Sequence, residues 1–223
     1  MAIEPRIGRR AVTRRSRPPR IKPDYSPYFG VDQEAWAEKT RDLILAHPAD
    51  LDELVSVVLK SWSSIFESTL GSGFRIGTDI FPRPQILGFL LHELIPLEFE
   101  RLRPGVWRRD AGAGDKDLVH VDDDTMSIEI KTSSNKGQIF ANRSYGQPND
   151  SQGKKDKSGY YLAVNFERWE DSSGLPRVRL IRFGWLDHVD WHSQVQASGQ
   201  QASLPPVVEN LQLLIIYDWS EGA

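Results

Sequence analysis

A chain of 223 residues is long enough to bury a core within one domain, and 39% apolar content with seven Trp suits a globular protein. The absence of cysteine excludes disulfides, thiolate metal sites and a Cys nucleophile, and fits a cytoplasmic location. The net charge of -3 hides an asymmetry: residues 1–22 carry eight basic residues against the single acid Glu4, and the rest carries 20 basic and 30 acidic. No apolar run is long enough to span a bilayer, and the start of the chain lacks the apolar centre of a secretory signal, so no membrane partner is expected.

Residues 1–24 have too few apolar groups to offset the entropy of ordering and read as a flexible basic arm. Its Arg14, Arg15 and Arg17 suit a phosphate backbone through counterion release; a solvated tail is the alternative. Residues 25–223 read as the folded domain. Residues 31–47 predict a helix with Asp32 as N-cap, stopped by Pro48. Residues 49–70 predict the strongest helix, where Leu51, Leu54, Val55, Val58, Trp62, Ile65, Phe66 and Thr69 recur at three and four; Asp50 caps it and Gly71 and Gly73 close it. After a loop, residues 85–100 predict a third helix, kinked at Pro96, with Leu87, Leu90, Leu91 and Leu94 as its buried stripe.

Residues 117–133 read as a β-hairpin around the acidic turn Asp122, Asp123, Asp124 and Thr125, whose acids are turn residues without a metal role. In its second strand Met126, Ile128 and Ile130 alternate with Ser127, Glu129 and Lys131, placing a carboxylate and an ammonium on one face. With a carboxylate from the neighbouring strand, Asp117 or its rival Asp115, this makes a hard-oxygen site able to hold a divalent cation. The alternative is a surface ion pair of little energetic weight. Residues 133–157 form a long polar connection that reads as a loop contacting DNA or as a hydrophilic surface. Residues 159–166 read as a buried central strand, 177–183 as a further strand, 185–191 as a short helix or turn and 211–217 as a last strand. Helices first and strands later predict an α+β domain around a mixed sheet.

An Asp followed after about a dozen residues by Glu-x-Lys, here Asp117 with Glu129-Ile130-Lys131, resembles the active-site signature of the PD-(D/E)XK nucleases. Together with Phe81-Pro-Arg-Pro-Gln-Ile-Leu-Gly-Phe-Leu-Leu-His-Glu-Leu-Ile-Pro, Gly137-Gln-Ile-Phe-Ala-Asn-Arg-Ser-Tyr-Gly-Gln and Phe183-Gly-Trp-Leu-Asp-His-Val-Asp-Trp, the chain from about residue 30 onward resembles type II restriction endonucleases of the ScaI-type group. The resemblance implies an α/β/α restriction-endonuclease-like fold, Mg2+ held by Asp117, Glu129 and the carbonyl of Ile130, and Lys131 beside the attacking water. It also implies a homodimer cutting double-stranded DNA at a short palindrome, in a cell holding a cognate DNA methyltransferase. Many relatives add a carboxylate from the preceding helix; Glu93 is the first candidate, with Glu67 and Glu100 behind it, while His92 reads as a general base or a simple hydrogen-bonding residue. For base reading, Asn and Gln pair with adenine and Arg and Lys with guanine, which singles out Gln138, Asn142 and Arg143, with Asn135 and Lys136 beside them. A junction-resolving or repair nuclease of the same fold, and a non-catalytic DNA-binding protein, remain the rival readings.

Overall fold

The computed structural model describes residues 2–8, 17–147, 156–196 and 199–221, and in it the helices come first. Helix α1 (Trp36–Ala46) follows a 3-10 turn, and Asp32 makes no side-chain cap; the start is held instead by Trp36, whose indole donates to the Val31 carbonyl at 3.1 Å. Helix α2 (Leu51–Glu67) begins as expected, Asp50 accepting the Glu53 N–H at 2.9 Å. It stops before Thr69, because the positive φ of Gly71 and Gly73 folds the next residues into a small hairpin of β1 (Thr69–Leu70) and β2 (Phe74–Arg75). Helix α3 (Pro84–Leu102) runs through Pro96, whose missing N–H leaves the His92 carbonyl without its helical donor. Of its expected stripe Leu87 and Leu91 are fully buried and Leu90 and Leu94 partly so, and the deepest row continues from Leu87 and Leu91 to Ile95 and Phe99.

The strands follow as β3 (Trp107–Arg109), β4 (Leu118–His120), β5 (Ile128–Ser133), β6 (Phe140–Asn142), β7 (Gly159–Phe166), β8 (Val178–Leu186), β9 (His192–Ser193) and β10 (Gln201–Ser203). Helix α4 (Pro206–Leu211) and β11 (Leu214–Asp218) end the order. The main sheet is ordered β11-β8-β7-β5-β4-β3, with β5 and β7 parallel and the other pairs antiparallel. Every residue of β7 is buried, so both faces of this mixed sheet must be covered. On one face α2 and α3 bring Leu54, Leu87, Leu91 and Ile95 against Ile128, Ile130, Leu162 and Phe183. The other face packs Tyr161, Ala163 and Leu186 against Tyr28, Trp36 of α1, Val208 of α4, and Ile139, Ala141, Trp191 and Ala202 in and beside a second sheet ordered β6-β10-β9. The α+β class with a mixed sheet between helices is therefore as expected. The short elements β3, β6, β9, β10 and α4 carry too few residues for periodicity to reveal.

The basic arm is corrected at both described ends. Arg6 exchanges two main-chain hydrogen bonds with Ile215, adding a rung to the edge of β11. Lys22 is buried, its ammonium 2.8 Å from Asp187 and 2.7 Å from Asp190, above the rings of Tyr28 and Trp36. A buried cation persists only when it is paired and hydrogen-bonded, and Gln212 supplies a further acceptor at 3.1 Å. Arg17 donates to the Ser193 carbonyl at 3.0 Å, while Arg14 and Arg15 lie outside the described residues.

One buried histidine ties this frame to β5. His47 accepts the Ala49 N–H at Nδ1 (3.1 Å), which leaves Nε2–H to donate to the Met126 carbonyl (2.9 Å) at the end of the 3-10 turn preceding the strand. Met126 is thus a turn residue rather than the first residue of the strand. The ring lies 4.2 Å from Tyr160 and 5.0 Å from Phe183, and burial pushes its pKa down to about 4 from 6.5. Between those values the unfolded chain binds a proton that the folded ring refuses, so this contribution to stability is full above pH 6.5 and is lost as the pH falls toward 4. We expect the stability advantage of the wild type over His47→Gln in urea unfolding to shrink by about 3 kcal/mol across that window. A constant difference would contradict the assignment.

Candidate active site

The sheet opens where β5 loses a neighbour. Its ladder to β4 is the single pair Leu118↔Ile128, whereas its ladder to β7 runs over all six residues. Beyond Ile128 the outer edge of β5 has no strand, and its next outward-facing N–H, that of Ile130, needs another partner. Asp117, the residue before β4, supplies it: its Oδ2 accepts the Ile130 N–H at 2.7 Å. In a strand the N–H and C=O of one residue face the same neighbour, so the Ile130 carbonyl is directed to the edge where Asp117 stands. The rival Asp115 is engaged elsewhere, accepting from Arg108 at 2.8 Å and from the Ala111 N–H at 2.9 Å.

Alternation along β5 buries Ile128 and Ile130 under α2 and α3 and turns Glu129 and Lys131 to the other face. The Glu129 side chain is only 4% exposed and that of Lys131 12%, so this is no surface pair. The ammonium donates to Glu129 Oε1 at 2.5 Å. Tyr145, from the 3-10 turn Arg143–Gly146, donates its hydroxyl to the same oxygen at 2.6 Å and accepts from Lys131 at 3.2 Å. Beneath them Tyr161 is opposite Glu129 in the parallel register; burial, and then the Glu129 charge, push its phenol well above its ordinary pKa, keeping the floor of the site neutral.

Helix α3 closes on this strand at Gly88, where a Cβ would come within 2.7 Å of Thr132 Oγ1. One turn on, His92 Nδ1 is 3.6 Å from Asp117 Oδ2, an electrostatic neighbour beyond hydrogen-bond length. A cleft of about 820 Å³ runs between α3, β5 and the β6 segment, bordered by Gln85, Phe89, His92, Glu129, Lys131, Asn135, Asn142, Tyr145, Arg168 and Gln201. Among the described residues, no three His, Asp or Glu side chains are gathered as a ready metal cage.

Of the residues singled out in the sequence, Glu129, Ile130 and Lys131 lie on β5 and Asp117 joins them through the Ile130 N–H; Glu129 and Lys131 border the cleft, and Asp117 and Ile130 are outside its lining. Glu93 does not join them: it is exposed and outside the cleft lining, about 100° around α3 from His92, which borders the cleft in its place. Glu67 and Glu100 are also outside the lining. In the polar connection, Asn135 and Asn142 border the cleft, but Asn135 Oδ1 accepts the N–H groups of Gly137 and Gln138 and so shapes its own turn. Gln138 and Lys136 are outside the lining. Arg143, expected near bases, donates to the carbonyls of Gln196 (3.2 Å) and Gly199 (3.0 Å) and braces a neighbouring loop. Residues 148–155 lie outside the described residues. Sequence reasoning gave no role to Tyr145, Gln85, Arg168 or Gln201; Tyr145 lies inside one of the motifs quoted above, yet nothing local ties it to β5.

The profile of the family described as ScaI restriction endonuclease matches residues 26–217. A type II restriction enzyme, ScaI, from Streptomyces caespitosus is 56% identical over 215 residues, covering 96% of this chain and 93% of that protein.

The Asp117 bond to the strand edge is a charge-assisted one on a partly buried group. Asp117→Ala should lower unfolding free energy by about 1–2 kcal/mol, while Asp117→Asn, which keeps an acceptor oxygen, should stay closer to wild type. Equal stability of the alanine variant and the wild type in chemical denaturation would show that the bond does not hold the edge.

Proposed function

The chain belongs to the ScaI restriction endonuclease family and is a type II restriction enzyme, a site-specific deoxyribonuclease, and on that premise we propose that it cuts both strands of DNA at a short palindrome with Mg2+, as a homodimer. The observation that carries the assignment of its site is the 2.7 Å bond from the Ile130 N–H to Asp117, which joins the first carboxylate to the strand bearing Glu129 and Lys131. The donor set of two carboxylates and the Ile130 carbonyl consists of hard oxygens. That fits Mg2+, which takes one or two carboxylates and draws its other ligands from water and phosphate. When bound there, the ion would lower the pKa of a water and withdraw charge from the scissile phosphate.

The chain's own groups do the rest. Asp117 is aimed by the Ile130 N–H, and Glu129 by Lys131 and Tyr145, so neither carboxylate has to reorganise when DNA arrives. Lys131 presents N–H donors and a positive charge where the attacking water and the phosphate meet. Pro84 and Gln85 bring the N-terminal end of α3 to the cleft, and the positive end of its dipole favours phosphate. Asn135, Asn142, Gln85 and Gln201 border the cleft and would supply amides to DNA bound there. Lys136 and Gln138 lie between Asn135 and Asn142 in the chain, and would reach DNA from beside the cleft. Arg14, Arg15 and Arg17 act on phosphates, adding affinity and salt dependence rather than a base code. A twofold dimer would set two such sites on opposite strands of the palindrome. The enzyme would work in the cytoplasm beside a DNA methyltransferase that protects the same sequence.

Sequencing the ends produced from plasmid DNA with Mg2+ tests this reading: we expect discrete fragments with one common end sequence, abolished by EDTA. Glu129→Gln and Lys131→Ala should each slow cleavage by roughly a hundredfold or more while DNA binding persists. A smear, cleavage at branched DNA alone, or full activity in both variants would overturn it.

A further inference from the structure

Tyr145 meets both charged residues of β5 from across the cleft. Its hydroxyl donates to Glu129 Oε1 at 2.6 Å and accepts from Lys131 Nζ at 3.2 Å, and its ring lies 4.7 Å beneath the same ammonium. We propose that Tyr145 is a positioning residue for DNA cleavage, fixing the Glu129 carboxylate and the Lys131 ammonium in their reactive arrangement from a turn that adjoins the DNA-facing Asn142. The inference rests on the reading of Glu129 and Lys131 as catalytic.

Two features of the structure carry it. A glutamate carboxylate turns over a broad torsional well, and a short charge-assisted hydrogen bond from a phenol selects which oxygen faces the lysine. The phenol also bounds the lysine on a second side, since the ammonium is held by a carboxylate, a hydroxyl and an aromatic face together. Equally important, Tyr145 is itself anchored by contacts that do not involve Glu129. Ser193 Oγ donates to the Arg143 carbonyl at 2.9 Å, and Lys157 to the Ser144 carbonyl at 2.6 Å. The turn sits so close to β9 that a Cβ on Gly146 would collide with the Ser193 nitrogen, and the Tyr145 ring packs edge-on against Trp191 at 5.5 Å. A side chain held so firmly from behind can impose an orientation on its partners instead of following them.

The test compares full-length wild type, Tyr145→Phe and Tyr145→Leu in single-turnover cleavage, in DNA affinity without divalent metal, and in thermal midpoint. Tyr145→Phe keeps the ring but loses the hydroxyl. It should cleave roughly tenfold to a hundredfold more slowly with affinity and midpoint close to wild type, and Tyr145→Leu should be slower still. A wild-type rate for Tyr145→Phe overturns the proposal. So does a fall in affinity that accounts for the rate, which would make Tyr145 a DNA contact, or a fall in midpoint with the rate restored on cooling, which would make it structural. Glu129→Gln measured alongside separates the two readings: its cleaving normally would remove the underlying assignment, whatever Tyr145 does.

Discussion

A strand N–H without a partner strand governs this molecule. Because β4 pairs with β5 at one residue only, the Ile130 amide would be left on an open sheet edge, and the Asp117 carboxylate satisfies it. A carboxylate spent on the backbone cannot wander, and the same edge is where the Ile130 carbonyl is directed. The fold thus gathers the Asp117 carboxylate and the Ile130 carbonyl at one edge by solving an ordinary hydrogen-bonding problem. Completing the β4 ladder would have closed the sheet and left no site.

The surrounding layers serve that opening. The parallel ladder to β7 and the apolar pair Ile128 and Ile130 fix β5 in depth and in face, so Glu129 and Lys131 have one direction in which to project. His47 pins the turn that feeds the strand, Gly88 lets α3 approach Thr132, and Tyr145 caps the charged pair from the far wall. Buried ions of this kind are costly unless each is matched, and the matching partners come from β5 itself and from the turn after β6. The second buried cation, Lys22, follows the same rule in a different place: Asp187 and Asp190 draw the N-terminal segment onto the body.

What was legible in the sequence was what is local. The alternation of Ile128, Glu129, Ile130 and Lys131 is a period of two readable within four residues, the Asp50 cap lies three residues from the N–H it satisfies, and β7 announces itself as an unbroken apolar run. What failed depended on partners far along the chain. Lys22 looked like one more arm cation because its aspartate lies 165 positions away, and Tyr145 looked like a loop aromatic because its contact with Glu129 spans 16. Glu93 failed for a narrower reason: a leucine stripe fixes which face of α3 is buried but not which flank meets the cleft, and His92, not Glu93, lies on that flank.

We propose that Asp117, Glu129 and the Ile130 carbonyl form one cation site at the unpaired edge of β5. Anomalous scattering from Mn2+ in crystals of the protein with DNA measures this directly. A peak within bonding distance of all three groups is expected, and a peak held by other residues, or by only one of the two carboxylates, would rule this site out.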